Sequence, residues 1–154
     1  MSADLKIFSD LLRKNLDTLI QLDDLLAQER ASLERNQMEE LDELLEKKKP
    51  LLLQIQNNAR ERTDWIKNTK LPKKRLFKLL EEKAPPVMML FRDCEQRLLD
   101  IKQKNEVNGQ IIARSQQRVV RLMQIIRGQS QQAQLYGKNG AADAYGGKQS
   151  LAQA

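Results

Sequence analysis

A chain of 154 residues with no histidine and a single cysteine, Cys94, lacks the material for a His- or Cys-built metal site, a histidine-based triad or a disulfide framework. Aromatic residues make up 4% and charged residues 31%, with leucine abundant, which points to long amphipathic helices and away from sandwich and α/β folds. The formal charge of +6 is unevenly spread, residues 1–46 holding 12 acidic and 5 basic side chains and residues 47–154 holding 9 and 22. Opposite fields of this kind favour antiparallel pairing of successive helices, modestly once salt screens them, and the basic part would also suit an anionic partner.

The start, Met1 to Asp10, carries early acids and no apolar core, so it does not read as a signal peptide. No run approaches 18 apolar residues, so no membrane insertion and a cytoplasmic location are expected. A first helix begins near Ser2 or Asp4. Its seam, in spacings of three and four, reads Leu5, Phe8, Leu12, Asn15, Leu19, Leu22, Leu26, Glu29 and Leu33, and it ends near Arg35. Asn36 and Glu39 have the spacing of a capping box, which predicts a turn with Asn36 as the N-cap of the next helix.

The second helix carries Met38, Leu41, Leu45, Leu52, Ile55, Ala59 and Ile66. Pro50 sits within it, and because the apolar register continues on both sides the proline predicts a kink and not a break. The preceding lysines, Lys47 to Lys49, read as a solvated face, with an anion-binding patch as the sharper alternative. Residues Asn68 to Pro72 form a loop, with Pro72 opening a short helix over Lys73 to about Glu82. Its Leu76, Phe77, Leu79 and Leu80 should tuck against the end of the bundle, and Ala84-Pro-Pro86 stops it.

The last helix is the longest. From Val87 to about Ala133 there is no proline and only Gly109 and Gly128. Its seam runs Leu98, Ile101, Asn105, Asn108, Ile112, Ser115, Val119, Leu122 and Ile126, with apolar and polar residues alternating in blocks. Cys94, with no histidine to activate it, reads as a small buried apolar residue. The first two helices are too short to cover the whole of the last one. Leu98 to Asn105 therefore reads as core, while the line from Ile111 to Ile126 suits a core or a partner surface equally. Arg114, Arg118 and Arg121 recur at i, i+4 and i+7 in one row. The helix should fray somewhere after Arg127, with Gly128 to Gln134 still permitting helix, and end within Leu135 to Ala142, ahead of a polar, glycine-rich tail. The expected fold is all-α: an elongated antiparallel bundle of three long helices plus one short helix. Residues 1–135 form its helical domain and 136–154 a flexible tail.

Asn105-Glu-Val-Asn-Gly-Gln-Ile-Ile112, the helical repeat that follows through Ile126, and the closing Leu135-Tyr-Gly-Lys-Asn-Gly140 together resemble the C-terminal signature of the FlgN-type flagellar export chaperones. The leucine-rich first helix and Glu46-Lys-Lys-Lys-Pro-Leu-Leu52 are similar to that family as well, so the resemblance covers the chain to about Gly140. It implies a cytoplasmic, non-enzymatic chaperone of the flagellar type III secretion system. Such a chaperone binds the C-terminal helical ends of the two hook-filament junction proteins, prevents early assembly and delivers them to the export gate. By position, the resemblance implies a client surface of Ile111, Ile112, Val119, Leu122, Met123 and Ile126. Asn108 joins them as a partner-facing polar position, and Tyr136 is the residue matching the one that docks on the gate's cytoplasmic domain. The basic charge departs from the acidic character of many export chaperones.

The residues themselves leave two other readings open. The seam could pair with a second copy of the chain as a homodimeric coiled coil, and the arginine row could meet nucleic acid. Against nucleic acid stand the missing aromatic stacking residues and base-reading loops. No set of residues makes an acid, base and nucleophile, so neither an enzyme nor a small-molecule substrate nor a cofactor is expected.

Overall fold

A computed structural model describes the backbone of residues 2–138 and the side chains of residues 2–128. Its elements are α1 (Ala3–Glu34), α2 (Met38–Asn68), α3 (Lys73–Lys83) and α4 (Pro85–Lys138), with no strand among the described residues. The chain divides into two units, the first being Met1–Asn108 and the second beginning at Gly109.

The first unit is a helical bundle whose directions can be read from sequence separations. Glu29 meets Lys48 across 19 residues and Asp4 meets Trp65 across 61, so α1 and α2 are antiparallel. Cys94 meets Leu12, Lys104 meets Asp23 and Asn108 meets Leu26 at nearly constant separations of 82, 81 and 82 residues. Contacts that keep one offset along two helices require them to run parallel, so the order is up, down, up.

The α1 seam is buried as its spacing predicts, with Phe8, Leu12, Leu22 and Leu26 all but inaccessible, and the α4 seam contributes Val87, Phe91, Cys94 and Ile101. Full burial of such side chains is worth roughly 1.5–3 kcal/mol each before entropy is counted. One end of the unit is closed by aromatics. Phe8 stacks on Trp65 with ring centroids 4.0 Å apart, Phe91 lies 5.0 Å from Phe77, and the Trp65 indole N–H donates to the Asp4 carbonyl at 3.1 Å. The short helix α3 joins this cluster through buried Leu76 and Leu80, as expected.

The turn between α1 and α2 exists, but its chemistry is not a capping box. Asn36 has a φ of 56°. Its N–H donates to Leu33 at 3.4 Å and that of Gln37 donates to Ser32 at 3.0 Å, the pair of bonds that closes a helix C-terminus around a left-handed residue. Asparagine tolerates that conformation better than most side chains. Asn36 therefore ends α1, and Gln37 occupies the N-cap of α2 without a side-chain bond. Helix α2 continues through Pro50 without a break.

One further expectation changes. Lys48 is not solvated: its ammonium meets Glu29 at 3.1 and 3.2 Å, and Glu29 is fully buried. Lys49 instead pairs with Glu46, leaving the anion-binding patch without its middle charge. The last helix ends inside the expected segment, with α4 running through Gly128 to Lys138. One glycine costs about 1 kcal/mol in a helix, and the neighbouring glutamines, alanine and leucine are good enough helix formers to absorb it. The tail expected from residue 136 thus shares Tyr136 to Lys138 with α4, and its remainder, 139–154, lies outside the described residues.

Candidate functional site

Along α4 the same three-four spacing meets two different surroundings. Up to Asn108 the seam is covered. Ile101 is 4% exposed, and Asn108, 3% exposed, donates its side-chain amide to the Leu26 carbonyl at 3.0 Å. A polar residue in a seam weakens indiscriminate pairing and fixes register, and here it locks α4 against α1. Lys104 reinforces that register, held above the usual lysine range by the carboxylates of Asp23 at 2.7 Å and Asp100 at 3.1 Å.

In the second unit the seam is largely uncovered. Val119 is 56% exposed, Leu122 57%, Met123 49% and Ile126 52%. Ile111, Ile112 and Ser115 have intermediate exposure. With 3.6 residues per turn, Ile112, Val119 and Ile126 recur every two turns, with Ser115 and Leu122 between them. Met123 borders this ridge on one side, and Ile111 and Ile125 border it on the other. Isolated apolar side chains on a surface need no explanation, but a contiguous ridge of them marks an interaction surface.

The proposed positions therefore fall into three places. Ile111, Ile112, Val119, Leu122, Met123 and Ile126 share one ridge. Asn108 is separated from them, because its side chain is committed to Leu26 inside the first unit. Tyr136 lies on α4, and its side chain falls outside the described residues. On the second unit Val120, at 55%, and Ile125, at 43%, are exposed as well. Ile125 follows Leu122 by three and could have been found from that spacing; Val120 lies off the ridge and carries no such signal.

Charge divides the ridge from its surroundings. Arg114, Arg118 and Arg121 are all exposed, and none pairs with an acid among the described residues. From Val107 to Ala142 the sequence contains no Asp or Glu. No group of three or more His, Cys, Asp or Glu side chains is placed to hold a metal among the described residues. Cys94 is fully buried, its thiol donating to the Leu12 carbonyl at 3.4 Å, and burial pushes it up to about 11, against the opposing pull of Arg62.

These features define an all-helical protein that spends one stretch of a long helix on its own core and presents the next as an apolar ridge. The chain belongs to the FlgN family, the flagellar export chaperones: the family described as FlgN protein matches residues 1–144. No curated protein and no solved structure shows a significant match to it.

Proposed function

We propose that this flagellar export chaperone binds the C-terminal helical ends of the two hook-filament junction proteins on the α4 ridge, keeps them from assembling early, and delivers them to the export gate from the cytoplasm. The observation that supports this most is the exposure of Val119, Leu122, Met123 and Ile126 on a helix whose preceding seam is buried. An amphipathic client helix would lay its own apolar face on that ridge, with anchors at i, i+3, i+4 and i+7. A client end that folds only on binding gives up part of its interaction energy to ordering, and so remains releasable. Such a role uses association alone and requires no catalytic residue.

In this reading Ile111, Ile112, Val119, Leu122, Met123 and Ile126 make the client contacts. Asn108 acts indirectly, by setting the register of the helix that carries them. Tyr136 contacts the cytoplasmic domain of the gate, so Tyr136→Ala should spare client binding while reducing export. The test is size-exclusion chromatography of the full chain with C-terminal fragments of the junction proteins. A stoichiometric complex is expected, and Leu122→Asp with Ile126→Asp should weaken it on the order of a hundredfold or more, because two buried anchors become charged. Absence of a complex with either fragment would sink the proposal. A change in the oligomeric mass of the chain alone would point instead to self-pairing through the same ridge.

A further inference from the structure

The charge on the second unit has a side as well as a sign. At about 100° per residue, Arg114, Arg118 and Arg121 fall within a sector of about 60°, and that sector adjoins the edge of the ridge marked by Ile111 and Ile125. The face opposite the ridge carries Gln110, Gln117 and Gln124 and is uncharged. Among residues 109–128, Arg127 alone of the charged residues lies toward the other edge. Arg118 thus stands beside the ridge, where helix pairs put the charges that choose partner and orientation, and Arg114 and Arg121 stand one step further round on the same side.

We propose that the occupant of the ridge is an acidic amphipathic helix, one whose own apolar face is bordered along one flank by carboxylates recurring every three to four residues opposite Arg114, Arg118 and Arg121. This rests on the client-binding reading and narrows it from any amphipathic helix to an acidic one. Three observations carry it. The arginines are exposed and find no acid among the described residues. The sequence offers none between Val107 and Ala142, so a second copy laid on the same ridge would supply no carboxylate to the arginines. A helix lying on anionic lipid spreads its cations over the polar face, whereas here the middle of that face is glutamine and the arginines are gathered to one side of it. The flank therefore matches a helix partner better than it matches a second copy or a membrane surface.

A one-sided row also fixes direction. A partner helix with its acids on one flank reaches the arginines in only one of the two orientations along the ridge, so the charges select polarity where the apolar contacts alone would allow either. The test titrates the full chain by fluorescence anisotropy with two synthetic amphipathic peptides. They share one Leu/Ile ridge and differ only in a flank row of glutamates or of lysines at matching spacing. The glutamate peptide should bind at least roughly tenfold more tightly, with the gap narrowing as salt rises. Arg114→Glu, Arg118→Glu and Arg121→Glu together should reverse the order, and circular dichroism would confirm that these exposed substitutions leave the helix formed.

Equal affinities, or a preference that survives the triple reversal, would overturn the proposal. So would sedimentation with phosphatidylserine vesicles in the absence of any peptide preference, which would assign the row to lipid. Failure of the two readings is distinguishable. If junction-protein fragments bind the wild-type chain and the triple variant equally well, the acidic partner falls while client binding stands. If the fragments do not bind at all but the peptide preference holds, client identity falls and the acidic partner stands.

Discussion

Glu29 and Lys48 form an ion pair in a place where a bundle usually keeps hydrocarbon. Taking two charges out of water costs more than their attraction reliably returns, so the pair contributes less to stability than its removal would suggest. What it does provide is alignment, because only one register of α1 on α2 brings the two groups together. Glu29→Ala leaves the Lys48 ammonium without its partner and should lower unfolding stability by about 3–5 kcal/mol, measured by urea titration. Glu29→Leu with Lys48→Met should recover most or all of that loss; a double variant as unstable as the single would refute this account. Cys94 gives a second prediction. Its thiol should resist maleimide in the folded chain and react only on unfolding, because it is buried and held protonated up to about 11 from an ordinary value of 9.0. The folded chain keeps this proton after the unfolded chain has lost it. The contribution is therefore complete below pH 9 and is lost as pH rises toward 11.

At the scale of elements, α4 is built so that one periodicity serves two ends. Gly109 stands at the junction of the two units, and a Cβ placed there would meet nothing within 4 Å. Packing therefore does not require glycine at this position. Gly109→Ala should stabilise the helix by about 0.5–1 kcal/mol, read as a higher urea midpoint. A loss of stability would show that the position needs backbone freedom. Much of this was legible in the sequence. The α1 seam from Phe8 to Glu29 is buried residue for residue as the spacing indicates, since a pure 3.6-residue period needs no tertiary information. The Asn36 turn was found by position but misread in mechanism, because the same side chain suits an N-cap and a left-handed helix stop, and only the backbone angle separates them. Lys48 was misread because three consecutive lysines look like solvent-facing charge. The acid that claims it, Glu29, was visible within the seam of another helix but could not be paired without knowing the register.

For the whole molecule, the division of labour follows the chain. The first unit holds the core cluster, which ends at Ile101, together with the aromatic closure and the polar locks at Asp23–Lys104 and Leu26–Asn108. The second unit carries the exposed ridge and the arginine row. If the ridge binds a client as proposed, the client contacts fall in a different unit from the core cluster, so release need not disturb that cluster. The ridge residues were legible as an amphipathic line. Whether they were core or surface was not, because periodicity reports that a face is apolar and says nothing of what covers it. Hydrogen exchange of the full chain, with and without the C-terminal fragment of a junction protein, tests the central claim most directly. Protection should rise across residues 109–128 and stay unchanged along α1 and α2. Protection that appears on the first unit instead, or a fragment that binds while residues 109–128 exchange as before, would contradict it.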